Sequence, residues 1–146
     1  MQNFSIRMYL PDDKVRVITL WQECGLIVPW NNPETDVERK HSDSPELFFV
    51  GEMNGELIAS CMGGYDGHRG WIYFLAVKQS HRNRGVASKM VEHVESALVD
   101  MGCPKVELMV RNSNEGVIAF YNKNNYKSEA VVVLSKRLID DDPHPY

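Results

Sequence analysis

The segment Arg82-Asn83-Arg84-Gly85-Val86-Ala87-Ser88 lies between a run that reads as a buried strand, Trp71 to Val77, and one that reads as a helix, Val86 to about Met101. A strand, a short turn and a helix N-terminus in that order make an anion site. The first helical amides have no partner inside the helix, and the aligned peptide dipoles add partial positive charge at the same end. Gly85 and Ala87 keep bulk away from the main chain, so a phosphate or pyrophosphate can approach it closely. The loop lacks the Gly-Lys-Ser/Thr of a P-loop, and its single glycine does not make GxGxxG, so a dinucleotide site of the Rossmann kind loses weight. Further on, Asn114 and Tyr121 stand seven residues apart in a second helical run; two turns separate them, so they share a face.

Other residues with chemical capacity are scattered. Glu107 sits on a strand-like run, with Met109 on the same face. Asp66 and His68 fall in a glycine-rich segment, where turn formation explains them as well as catalysis does. Trp30 lies in a loop with two prolines, either as an anchor on the core or as a wall of a substrate pocket. Asp36, Glu38 and Asp66 offer negative charge to a cationic acceptor. Cys24, Cys61 and Cys103 form no CxxC pair, so reduced, mostly buried thiols are expected rather than a disulfide framework or a zinc site.

The elements that must carry these residues follow from periodicity. Asn3 to Met8 alternates as a strand, and Lys14 to Cys24 has helical spacing after a capping aspartate, with Gly25 as the stop. Glu34 to Lys40 reads as a short exposed helix after Pro33. Asn54-Gly55 joins two apolar runs, Leu47 to Glu52 and Leu57 to Met62, as a hairpin. Gly63 to Gly70 reads as a turn. The run from Trp71 to Val77 is apolar on both faces, which belongs to a central covered strand. Val86, Met90, Val94, Ala97, Leu98 and Met101 make one helical stripe, and Gly102 ends it. Lys105 to Val110 reads as a strand that completes a right-handed βαβ crossover. Asn112-Ser113-Asn114 caps a helix from Glu115 to Asn124, with Asn125 in the left-handed closing position. Ala130 to Leu134 reads as a last short strand. The chain is expected to form one domain over 1–139, followed by a loose acidic tail at 140–146.

Composition sets the outer limits. With 146 residues, 43% apolar and 25% charged, the chain has the make-up of a folded domain with a sizeable core. A net charge of -4 argues against an obligate nucleic-acid partner. No apolar run approaches the roughly 20 residues a membrane span needs, and the N-terminus carries no basic signal region, so a cytoplasmic location is the expectation.

Arg82, Gly85 and Ala87 make Arg-x-x-Gly-x-Ala, which resembles the acetyl-coenzyme A loop, (Q/R)xxGx(G/A), of the GNAT superfamily of N-acetyltransferases (the GCN5-related enzymes). The setting resembles it too: Leu75-Ala76-Val77 ends the preceding strand, and Asn114 and Phe120-Tyr121 lie on the second helix after it. Leu20-Trp21, Pro29-Trp30-Asn31, Met62 to Gly70 and Gly102-Cys103-Pro104-Lys105 are similar to a bacterial branch, the YpeA-type acetyltransferases, akin to the ribosomal-protein alanine acetyltransferases. The resemblance implies an α/β (α+β) fold: a central, mostly antiparallel twisted sheet, splayed at its middle strands and flanked by about four helices. It implies that Leu75, Ala76 and Val77 line the pantetheine arm, which pairs like an added strand. It implies that Arg82, Asn83, Arg84, Gly85, Val86, Ala87 and Ser88 hold the pyrophosphate, that Asn114 bonds the pantetheine, and that Tyr121 is the general acid. Two positions where the family often has a carboxylate base are here Trp71 and Met109, which leaves Glu107 as the nearest candidate base, beside a water relay. The implied reaction is direct transfer of acetyl from acetyl-coenzyme A to a primary amine, on a small molecule or a protein or peptide N-terminus, without a metal. Trp30 and Asp66 are candidates for acceptor contact. Family members are often homodimers. The alternative is a non-catalytic acyl-coenzyme A binding or sensing module.

Overall fold

The protein is described from a computed structural model over residues 3–146; Met1 and Gln2, part of the N-terminal reading above, lie outside the described residues. The chain divides into two compact units, residues 1–107 with 141–146, and Leu108–Asp140.

The first unit is a five-stranded sheet in the order β1-β2-β3-β4-β5, with β1 Phe4–Met8, β2 Phe48–Met53, β3 Glu56–Tyr65, β4 Gly70–Val77 and β5 Val106–Glu107. The first three pairings are antiparallel; β4 and β5 are parallel, as the crossover through α3 (Val86–Asp100) requires. The β2–β3 turn uses Asn54 and Gly55, both at positive φ (52° and 80°), the primed turn that matches strand twist. α1 (Lys14–Glu23) buries Val17, Ile18, Leu20 and Trp21, which share a core cluster with Val37 of α2 (Pro33–Asp43) and with Phe48, Val50, Leu57 and Met62 of the sheet. α3 buries Val86, Met90, Val91, Val94 and Leu98; Met101, placed on that stripe by periodicity, is exposed.

Several sequence expectations change. Gly63 and Gly64 belong to β3, and the turn is only residues 66–69. The glycines serve packing instead: a Cβ on Gly63 would lie 2.8 Å from Val94 Cγ1, and one on Gly70 would lie 2.8 Å from Cys103 Sγ, so their absence lets α3 and the segment after it sit close on the sheet. β4 is not covered on both faces throughout, since Tyr73 is 41% exposed. The run from Lys105 to Val110 forms a strand only at Val106 and Glu107, because β4 offers a partner only at Gly70 and Trp71. Ala130–Leu134 forms no strand; Val131 to Leu134 are exposed, and β-branched residues without a neighbouring ladder have nothing to pack on. Of the stretch 140–146, expected to be loose, residues 141–146 belong to the first unit and are bonded within it through Asp141, Asp142 and His144.

The capping aspartate also has a different task. Asp13, 1% exposed, makes no capping bond from its side chain to the backbone N–H groups of α1. It accepts from Arg7 Nη1 at 2.7 Å and Nη2 at 2.9 Å, from Leu10 N–H at 2.8 Å and from Arg16, while Arg7 also pairs with Glu52. Burial pushes the Asp13 carboxyl up, but the bonds from Arg7 and Leu10 and the charges of Arg7 and Arg16 outweigh it and hold it below the usual carboxylate range. A folded-state pKa below the unfolded one adds stability that is fully present above about pH 4 and is lost as pH falls through the depressed value. Asp13→Asn should therefore cost about 2 kcal/mol at pH 7, less than a fully buried pair because both arginines are partly hydrated. That corresponds to roughly 4–8 °C in Tm. The gap to the unmodified protein should close below about pH 4; a gap unchanged from pH 7 to pH 3 would show that the ionised carboxylate contributes nothing.

The second unit contains α4 (Glu115–Lys123), with Asn114 as its N-cap, its side-chain oxygen accepting from Val117 N–H at 3.3 Å. Asn125 closes the helix at φ 71°, as expected from the sequence.

Candidate active site

β4 is not a regular strand. Its register against β3 runs Ala59 with Val77 and Ser60 with Ala76, then slips to Met62 with Tyr73, so Phe74 and Leu75 together face Cys61. Phe74 takes φ 51°, a left-handed conformation that costs a non-glycine residue about 1–3 kcal/mol and persists only when its surroundings hold it. Here they do. The Trp21 ring stacks on Phe74 with centroids 4.1 Å apart, and Trp21 Nε1 donates to Ser60 Oγ at 3.0 Å. The Ser60 hydroxyl in turn meets the Phe74 carbonyl at 3.5 Å.

On its other side β4 pairs with β5 only at Gly70 and Trp71, so among the described residues no strand lies along that edge from Ile72 to Val77. The bulge and the open edge coincide. Leu75, Ala76 and Val77 therefore carry backbone groups along that edge beyond the last residue paired with β5, up to the loop that follows.

That loop turns through a short 3₁₀ segment, Gln79–His81, and then Arg82 to Gly85. Arg82 Nε donates to the Val77 carbonyl at 3.0 Å, and its guanidinium lies 3.4 Å from Cys24 Sγ, which also meets that carbonyl at 3.4 Å. Arg82 thus fastens the loop to the end of β4, while the side chain of Arg84 makes no hydrogen bond or ion pair among the described residues. Gly85 stands at φ 80° as the N-cap of α3, so the helix starts with no capping side chain and with no acidic residue in its first turn. The other helices carry negative charge in or next to their first turns. α2 is capped by Asn32, with Glu34 and Asp36 in its first turn; α4 is capped by Asn114 and followed by Glu115; α1 begins directly after Asp12 and Asp13. At α3 the neighbouring charges are Arg82, Arg84 and Lys89, which a bare helix dipole disfavours.

The carboxylates near β4 are engaged. Asp66 accepts from Arg69 N–H at 2.7 Å, His68 N–H at 2.8 Å and Trp71 Nε1 at 3.3 Å, and these bonds hold its pKa below the usual range, so it builds the turn and is a weak proton acceptor. Glu107 lies beside Trp71 in register and is 3.4 Å from Arg69 Nε. The Tyr73 phenol, one residue before the bulge, is pushed up by burial and by the charge of Asp66, and is neutral at neutral pH. Trp30 is 58% exposed and is not an anchor in the core. Within the second unit, Tyr121 is buried, edge-on to Phe120 and Tyr126 with ring centroids at 5.0 and 5.4 Å. Among the described residues no three His, Cys, Asp or Glu side chains converge as a metal-ligand group, and no helix is long and apolar enough to cross a membrane.

Sequence reasoning gives no sign of the Trp21, Ser60 and Phe74 arrangement that holds the bulge. A strand apolar at every position hides a register slip, because no polar residue changes face to reveal it.

Comparison with known proteins gives the family. An acetyltransferase of Pectobacterium atrosepticum is 49% identical over 137 residues, 94% of this chain and 97% of its own. The solved structure of Ard1 from Thermoplasma volcanium superimposes with a TM-score of 0.79 at 25% identity, over 88% of this chain and 85% of that one. The ribosomal-protein-S18-alanine N-acetyltransferase from Escherichia coli shares the fold with a TM-score of 0.73 at 21% identity, over 87% of this chain and 79% of that one. The model of the acetyltransferase (GNAT) family matches residues 15–126, well over half of the chain, and the protein is therefore an acetyltransferase of the GNAT family.

Proposed function

We propose that the protein transfers the acetyl group of acetyl-coenzyme A to a primary amine, on a small molecule or a protein or peptide N-terminus. The observation that carries this reading is the start of α3: a glycine cap, no acidic residue in the first turn and basic residues around it, at the end of a strand whose edge is open. A helix start so deprived of negative charge suits a bound anion. The pyrophosphate of coenzyme A lies on the main chain from Arg82 to Ser88, with Arg84 free to add charge. The pantetheine arm runs along Leu75, Ala76 and Val77, using the unpaired edge of β4. The family motif brings Asn114 and Tyr121 into the reading as the pantetheine contact and the general acid.

In the reaction the amine lone pair attacks the thioester carbonyl, the nitrogen of the tetrahedral adduct loses its second proton to water as the C–S bond breaks, and the departing thiolate takes a proton from Tyr121, whose phenolate is reprotonated from solvent. The ammonium proton of the acceptor leaves first. Glu107 is tied to Arg69 and Asp66 to its own turn, so that proton leaves through water, with Glu107 the nearest carboxylate on the adjoining strand.

Acetyl-coenzyme A at 100 times its Kd should stabilise the fold by about 2.7 kcal/mol, roughly 5–10 °C in Tm. Thiol release over a panel of primary amines and N-terminal peptides should then find an acceptor. No thermal shift, or no thiol release with any amine, would remove the reading.

A further inference from the structure

We infer that residues 141–146 are a strap that positions the loop carrying Trp30, which we assign to the acceptor side of the site, with Asp141 and His144 as its two fastenings; the inference rests on the acetyl-transfer reading above. The strap lies outside the segment that the family shares, residues 15–126.

The Asp141 side chain is 1% exposed. Its Oδ2 accepts from Asn32 N–H at 2.9 Å and its Oδ1 from Arg39 Nη2 at 2.8 Å. Asn32 is shared: its side-chain oxygen caps α2 through Glu34 N–H and Thr35 N–H, and its Nδ2 donates to the Asp142 carbonyl at 3.1 Å. Four residues earlier, the Val28 carbonyl lies 2.9 Å from His144 Nε2. A carbonyl only accepts, so Nε2 carries the proton. Nδ1 accepts from Tyr146 N–H at 3.3 Å, which gives the neutral Nε2–H tautomer. The tail therefore grips Val28 and Asn32, and the residues between them, Pro29, Trp30 and Asn31, form a short arch that presents Trp30 to solvent.

This is more than a tail at rest. A buried carboxylate costs free energy unless it is bonded, and a solvated acidic end would have no reason to accept that cost. Pro143 and Pro145 restrict the chain before it docks and so reduce the entropy lost on docking. The other end of the arch is tied to the site: Leu26 N–H donates to the Trp21 carbonyl at 2.9 Å, and Leu26 and Ile27 pack on the same core cluster as Phe74, the residue at the bulge of β4. The strap thus fixes one end of a loop whose other end abuts the strand proposed to hold the pantetheine arm.

The test uses the full chain with Asp141→Ala, His144→Phe and the conservative Asp141→Glu. In Asp141→Ala, hydrogen exchange of the Asn32 amide should accelerate at least tenfold, with α3 unchanged. KM for an amine acceptor found in the panel should rise about fivefold or more, while kcat and the Kd for acetyl-coenzyme A stay within twofold. His144→Phe should repeat the KM effect, and Asp141→Glu should recover most of it. Unchanged exchange at Asn32 would overturn the strap. Faster exchange with an unchanged KM would overturn its positioning role. An absence of turnover with every amine would remove the acetyl-transfer reading and the positioning role with it, while the exchange data would still decide whether the strap exists.

Discussion

Ala87→Glu should abolish acetyl-coenzyme A binding while leaving the fold as stable as before or slightly more so. Ala87 is the second residue of α3, in a first turn without any acidic side chain. A carboxylate there interacts favourably with the helix dipole, worth about 0.3–1 kcal/mol at an exposed site, as in the first turns of α2 and α4. The same charge would occupy the place proposed for the pyrophosphate and repel it, so affinity should fall at least 100-fold, about 2.7 kcal/mol. Gly85→Val reaches the same end by a different route. Nothing lies within 4 Å of a Cβ at Gly85, so space is not the obstacle; φ 80° is. A β-branched residue would push the loop out of its left-handed turn, with a loss of stability as well as of binding. Isothermal titration and thermal melts on the two variants separate the cases. Retained binding in Ala87→Glu would mean that the first turn of α3 does not meet the phosphates.

How much of this could be read from the sequence depended on whether a feature is local. The Arg82 to Ala87 loop, the Asn54-Gly55 turn and the Asn114 cap are set by residues adjacent in the chain, and each has the expected conformation. The limits of the strands were less legible, because a strand exists only where a partner does: Val106–Glu107 stops where β4 ceases to pair, and Ala130–Leu134 has the composition of a strand without a ladder. Gly63 and Gly70 looked like turn residues, but a glycine chosen for close helix approach has the same letter. The bulge at Phe74 rests on Trp21 and Ser60, which are 53 and 14 residues away in sequence. Asp141 on Asn32 and Arg39 is a contact across more than 100 residues (|i−j| of 109 and 102), and an acidic end with two prolines resembles any solvated terminus. The side proposed to face the amine rests on such distant contacts, whereas the side proposed to hold the cofactor rests on the loop.

Tyr121→Phe should lower kcat about 100-fold or more and leave the Kd for acetyl-coenzyme A within about twofold. The substitution keeps the ring that packs edge-on against Phe120 and Tyr126, so stability should change by no more than about 1 kcal/mol, and a loss of rate cannot then be assigned to unfolding. The proposed role makes a sharper demand than loss of rate. A general acid helps only as much as the leaving group needs a proton. The thiol of coenzyme A, with a pKa near the ordinary thiol value of about 8.5, needs it at neutral pH far more than an aryl thiol does. With an acetyl thioester of an acidic aryl thiol as donor, however weakly bound, the ratio of kcat/KM between the unmodified enzyme and Tyr121→Phe should shrink toward one. A ratio that stays the same for both donors would show that the hydroxyl orients the substrate and does not protonate the thiolate. The amine acceptor is the same in both arms, so the deprotonation step cancels, and the comparison isolates Tyr121 from the unidentified base.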